Sequence, residues 1–157
     1  MKSIVLDDAL HVSFPDDFQE MSREELAAFK NGVGDHGICL KSDKQHIIFS
    51  LAWVKDGLLS KIARGNDLVK NAENFYKKRM RSYGYKTQGY VTYDIGGEKA
   101  DGLRYTYTAQ GIDMTGETYA IRKDHKLYYI HCYYRTELSK ESRESIEKIL
   151  GTAAWDN

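Results

Sequence analysis

From residue 85 to residue 135 the chain is a succession of strand-length segments whose connections are too short to hold a helix. Parallel neighbours need a crossover of roughly a dozen residues or more, so consecutive segments here must pair antiparallel. Gly96-Gly97 and Asp124-His125 supply tight turns of residues that tolerate the left-handed backbone of a two-residue hairpin. The spacing predicts strands over Tyr85–Ile95, Glu98–Thr108, Met114–Arg122 and Lys126–Tyr134, with Ala109-Gln110-Gly111-Ile112-Asp113 as a longer loop between the second and third. The first turn also sets Asp94 opposite Lys99, an opposite-charge cross-strand pair.

Such a meander must be covered by other elements. Ile4–Leu6 and His11–Phe14 read as two short strands around Asp7-Asp8, stopped by Phe14-Pro15, because a residue before proline is pushed out of the helical region. Ser22 and Glu25 form a capping box, with Met21 and Leu26 at staple positions, and open a helix that fades near Phe29. Ile38–Ser42 and Ile47–Lys55 form a hairpin around Asp43-Lys44, and the continuous apolar run of the second arm suits a strand covered on both faces. The longest helix runs Asp67–Tyr83: Leu68, Ala72, Phe75, Tyr76, Met80 and Tyr83 keep the helical period, and Gly84 is its left-handed stop. Ser139 caps a closing helix with the apolar stripe Ile146, Ile149, Leu150; Gly151 ends it, before a tail that carries Trp155. The class is α+β: a central antiparallel sheet, a meander plus a hairpin, with helices packed on it as a layered sandwich. With no repeat or linker-like stretch, residues 1–157 are read as one domain.

Charge narrows the function. Lys and Arg (23) balance Asp and Glu (23), so the chain lacks the cationic excess that phosphate-backbone binding requires. No apolar run approaches the roughly 20 residues of a membrane-spanning helix. The opening MKSIVLDDALHV places two aspartates where an export signal needs an apolar centre. The two cysteines, Cys39 and Cys132, lie in separate apolar strand runs, which points to buried, reduced thiols and a cytoplasmic protein.

Motifs for chemistry are missing. The loop NGVGDHG has three glycines but follows a helix and enters a strand, the reverse of a phosphate cradle. None of His11, His36, His46, His125 and His131 has a second ligand at metal-binding spacing, and His131 and Cys132, adjacent on a strand, point to opposite faces. No nucleophile elbow occurs, and the pairs Asp7-Asp8 and Asp16-Asp17 sit in turns. The sequence therefore implies no catalytic residue, no metal and no cofactor.

SFPDDF at 13–18, RSYGY at 81–85, GLRYTYTA at 102–109, and YYIHCYY followed by an ELSKES helix start resemble the PsbP-like superfamily, which includes the Ran-binding nuclear-import factors of the Mog type. The resemblance implies a central antiparallel sheet carrying helices, and a mostly non-catalytic family of binding and assembly proteins. With the balanced charge and the lack of a long apolar run, the expected partner is another protein rather than a membrane or nucleic acid. The resemblance transfers no site residue.

Two places merit testing as sites. Lys77, Lys78, Arg79 and Arg81 crowd the end of the long helix, as a dock for an acidic partner or nucleic acid, or as a solvated face favoured by the helix dipole. Second, the Asp124-His125 turn pairs Thr118 with His131, Ala120 with Tyr129 and Gly116 with Tyr133. If Thr108 lies opposite Met114, Arg104 joins Thr118 and His131 on one face with Ala100, Gly102 and Thr106, while Leu103, Tyr105 and Tyr107 join the core face of Tyr119, Ile121, Tyr128, Ile130 and Cys132. Two arrangements fit the first face: the long helix packed over Gly102 and Ala120 through Phe75 and Met80, with Arg104 reaching a carboxylate, or a small-ligand pocket lined by Arg104, Thr118 and His131, serving a binder or a small enzyme.

Overall fold

A computed structural model describes residues 1–28, 37–55 and 65–156, apart from the side chains of residues 27, 28 and 65–68. The predicted glycine-rich loop, except Gly37, and the side chain of Leu68 lie outside that set.

The chain opens with β1 (Lys2–Leu6), β2 (Leu10–Phe14), β3 (Gln19–Glu20) and α1 (Arg23–Ala28). The hairpin β4 (Gly37–Ser42) and β5 (Ile47–Lys55) precedes α2 (Gly65–Arg79). The meander is β6 (Lys86–Ile95), β7 (Glu98–Ala109), β8 (Ile112–Lys123) and β9 (Lys126–Arg135), closed by α3 (Ser139–Gly151) and β10 (Ala154–Trp155). A seven-stranded antiparallel sheet, in the order β3-β4-β5-β9-β8-β7-β6, is accompanied by a three-stranded sheet, β1-β2-β10. The sequential pairing predicted for the meander holds, and the hairpin extends it by docking β5 on β9.

Local signals explain the element ends. Ser22 N donates to Glu25 Oε1 at 3.1 Å and Glu25 N to Ser22 Oγ at 3.2 Å, the reciprocal capping box. α2 stops at Arg79, and a 3-10 turn at Arg81–Tyr83 carries the predicted helix to Gly84, whose φ of 70° makes the left-handed stop. Asp94 does face Lys99, yet its carboxylate accepts the Gly97 N–H at 2.9 Å, and Lys99 reaches Asp101 at 3.9 Å instead. At α3, Leu138 rather than Ser139 is the cap; Ser139 is already helical and its hydroxyl donates to the Thr136 carbonyl at 2.6 Å.

Each face of the large sheet has its own core. On the first face β1, β2 and α3 bury Leu10, Phe14, Ile146 and Ile149 against Phe49, Leu51, Tyr119, Ile121, Ile130 and Cys132. On the second, α2 packs Val69 and Tyr76 over Leu103, Tyr105 and Tyr133. Burying one such large side chain contributes about 1.5–3 kcal/mol, so both layers hold the sheet.

This division corrects one predicted register. The connection between β7 and β8 is a two-residue turn, Gln110-Gly111, with φ of 52° and 77°, instead of a five-residue loop. Thr108 therefore pairs with Asp113, not Met114, and Arg104 pairs with Glu117. Since side chains alternate, a slip of one residue exchanges the faces of the whole strand. Leu103 and Tyr105 lie under α2, Tyr107 is on the same face, and Arg104 belongs to the opposite face.

Candidate functional site

Thr118 and His131 are directly paired, as the Asp124-His125 turn demands, and Thr118 Oγ1 lies 3.0 Å from His131 Nδ1. Tyr76 descends from α2 onto both: its hydroxyl is 3.2 Å from Thr118 Oγ1 and 3.1 Å from His131 Nδ1. The His131 ring lies nearly parallel to those of Tyr129 and Tyr133, at 9° and 14°. Burial disfavours the imidazolium and lowers its pKa to about 4, so His131 is neutral at physiological pH. The helix thus covers Thr118 and His131, but through Tyr76 rather than Phe75, which is 53% exposed, and not over Gly102, which lies on the other face against Tyr119. A ring of neutral groups that satisfy one another is a tertiary clamp.

Arg104, the third residue of the predicted pocket, lies across the sheet with its Nε 3.8 Å from Glu117 Oε2. Arg104, Thr118 and His131 therefore line no common pocket, because Leu103, not Arg104, is Thr118's partner. Glu117 is fully buried. It accepts from Tyr119 Oη at 2.5 Å, from Arg143 Nη1 at 2.5 Å and from the Tyr134 hydroxyl. Burial alone would raise its pKa; the Arg143 and tyrosine hydrogen bonds and the Arg143 charge outweigh that and hold it below the usual carboxylate range. Sequence reading missed this cluster. Its signal was present in the alternation of β8, which puts Glu117 on the same face as Tyr119 and Ile121.

The basic end of α2 is exposed. Lys77 lies 4.0 Å from Glu73, Arg79 covers the Phe75 ring at 5.5 Å, and Lys78 and Arg81 make no ion pair among the described residues. Glu73 itself is buried against β6, accepting from Thr87 Oγ1 at 2.6 Å and Tyr90 Oη at 2.5 Å. Between helix end and strand runs an open groove of about 600 Å³ lined by Lys77, Arg81, Gly84, Tyr85, Lys86, Thr87 and Gln88. Lys86 likewise forms no ion pair among the described residues. Tyr83 and Tyr90, about half exposed, belong to the same two elements. The sequence marked Lys77, Lys78 and Arg81; Lys86 joins them only through the fold.

Both thiols are buried on opposite faces of the sheet, free of any disulfide, and burial pushes Cys39 up to about 12 and Cys132 well above its ordinary value. Among the described residues no three His, Cys, Asp or Glu gather closely enough for a metal ion, and no helix is long and apolar enough to cross a membrane.

Neither a protein-family model nor a curated protein sequence matches this chain. Solved structures do. Cyanobacterial PsbP from Synechocystis sp. PCC 6803 superposes with a TM-score of 0.68 at 8% identity, over 95% of this chain and 88% of its own. LpqN, involved in cell envelope biogenesis of Mycobacterium tuberculosis, gives 0.57 at 12% identity over 94% and 83%. PA94 of Pseudomonas aeruginosa, a protein of unknown function described as a candidate regulator, gives 0.56 at 16% identity over 97% and 94%. At such identities the likeness concerns the fold, and it matches the one that the sequence motifs pointed to: the chain has the PsbP-like fold.

Proposed function

We propose that this chain is a non-catalytic binding module that docks an acidic segment of a partner protein in the groove between the end of α2 and β6. The observation that carries the reading is the concentration of Arg81 and Lys86, cations without ion pairs among the described residues, in one groove of a chain whose net charge is zero. Charge left uncompensated on one face steers an oppositely charged partner. Exposed tyrosines and an exposed Phe75 beside it are the residue types enriched at protein interfaces. The neutral, clamped His131 and the two buried thiols offer no activated nucleophile or base, and buried reduced thiols suit a cytoplasmic setting.

The test is a titration of isotope-labelled protein with a short synthetic peptide of glutamates flanking one phenylalanine. Amide shifts should cluster at Lys77, Arg81 and Tyr83–Gln88 and weaken with salt. The Arg81→Glu/Lys86→Glu variant should keep its melting temperature and lose the response. Shifts elsewhere, a response that survives charge reversal, or tighter binding of an RNA oligomer or anionic vesicles at the same residues would overturn the reading.

A further inference from the structure

Among the described residues α2 packs against β6, β7 and β8, and no helix residue lines the far end of the same face, where β5 begins and β9 ends. There the sheet holds a cavity of about 320 Å³. Its floor is apolar and partly aromatic: Ile48, Tyr107, Met114 and Tyr133. The register puts Tyr107, Met114 and Arg135 in one row, so a guanidinium and a phenol flank a thioether on one wall. Arg135 is half-buried, and its ion pair is loose, 4.0 Å from a Glu137 that is 72% exposed. Tyr107, whose pKa burial pushes up to about 12, makes no hydrogen bond among the described residues. His46, held at a positive φ of 56° in the β4–β5 turn, adds a polar group on the rim.

Concave apolar walls with few convergent polar groups, at the lower end of ligand-pocket volumes (about 300 Å³), characterise small-molecule sites. Lys41, Ser42, Asp43, His46 and Gln110 also line the cavity. Lys41 is paired with Glu25 and lies 3.6 Å from the exposed Asp43, so Arg135 is the cation beside the apolar floor and Tyr107 a hydroxyl donor without a hydrogen bond among the described residues. Together they recognise an anion whose body is apolar. Arg135 offers the planar fork that fits a carboxylate. Tyr107 and Tyr133 offer flat faces, and the volume is too small for a long alkyl chain. We infer that this cavity binds a small aromatic monocarboxylate, its carboxylate on Arg135 and Tyr107 and its ring over Met114, Ile48 and Tyr133. The site is separate from the groove at the end of α2, and the inference stands or falls independently of the docking reading.

2-Naphthoate is a suitable probe, with 2-naphthylmethanol as its uncharged counterpart and decanoate as the chain-like control. Calorimetry and methyl shifts of Met114 and Ile48 read the binding. Naphthoate should bind best of the three and move those methyls. Arg135→Met should weaken naphthoate by about tenfold to a hundredfold, the worth of one charge-assisted pair, and leave naphthylmethanol unchanged. Met114→Trp should fill the cavity and abolish binding of both aromatic probes. Since either variant could disturb folding, each is accepted only with a wild-type amide spectrum, and Arg135→Lys, which keeps the charge without the fork, should lie between wild type and Arg135→Met. No naphthoate binding at millimolar concentration, methyl shifts elsewhere, equal affinity for Arg135→Met, or a preference for decanoate would overturn the inference.

Discussion

The two faces of the large sheet solve the same covering problem with different chemistry. The first face is covered by α3 and the three-stranded sheet, and the polar cluster around its fully buried Glu117 is ionic, Glu117 and Arg143 with two tyrosine hydroxyls. The second face is covered in part by α2 among the described residues, and the cluster where Tyr76 meets the sheet is neutral: Tyr76, Thr118 and His131. A buried charge is held by hydrogen bonds to it, as Glu117 is by three donors, whereas a neutral cluster needs no counter-ion and tolerates a nearby opening. The difference teaches where function has room. The cavity and the basic groove both border the second face, the groove at the end of α2 and the cavity at strands lined by no helix residue among those described.

The sharpest way to break the comparison is to remove the first face's charge. Glu117→Ala removes the acceptor of Arg143 Nη1 and of two tyrosine hydroxyls, while Arg143 Nη2 keeps Glu147 at 3.2 Å. It should cost about 3–5 kcal/mol in urea unfolding, the range for breaking a buried pair on one side. A loss below about 1 kcal/mol, the scale of an exposed pair, would show that Glu117 is not the buried ionic centre described.

Acid should separate the faces. His131 binds a proton in the unfolded chain below its ordinary 6.5 but in the folded one only near 4. Stability should therefore be complete above about pH 6.5 and decline between 6.5 and 4, by up to about 1.4 kcal/mol per pH unit. Glu117 works in a lower window: its folded pKa is below the ordinary 4.5, so its contribution is intact above that value and lost as pH falls through the folded one. His131→Gln should flatten the slope between pH 6.5 and 4 and leave the more acidic limb in place. An unchanged slope in the variant would assign the upper window to another group.

The smallest effect is expected at the edge of the second face. Lys77→Gln/Lys78→Gln should change stability by no more than about 0.5 kcal/mol, since both side chains are exposed and the Glu73 contact of Lys77 is long. A larger loss would make these cations part of the helix's own support, leaving Arg81 and Lys86 alone to serve the groove.

The sequence by itself determined the elements and most of their pairing. Turn residues able to take positive φ at Asp7-Asp8, Gly96-Gly97 and Asp124-His125 set three hairpins, and the register of β8 on β9 followed from the last of them down to the Thr118–His131 pair. Capping at Ser22 and the stop at Gly84 were equally legible, because each depends on a few neighbouring residues. One turn was not. Gln110 carries a positive φ that its residue type does not announce, and misplacing that turn by one pair reversed the faces of β7 and moved Arg104 away from His131. Everything that joins distant segments was left to the tertiary structure. Local signals do not say that β5 docks on β9, that Arg143 of α3 reaches Glu117 of β8, or that Lys86 completes a groove with Arg81. Nor do they say which strands a helix of 15 residues packs against, or that Tyr107, Met114 and Arg135 line one cavity, because both depend on packing between elements far apart in the chain.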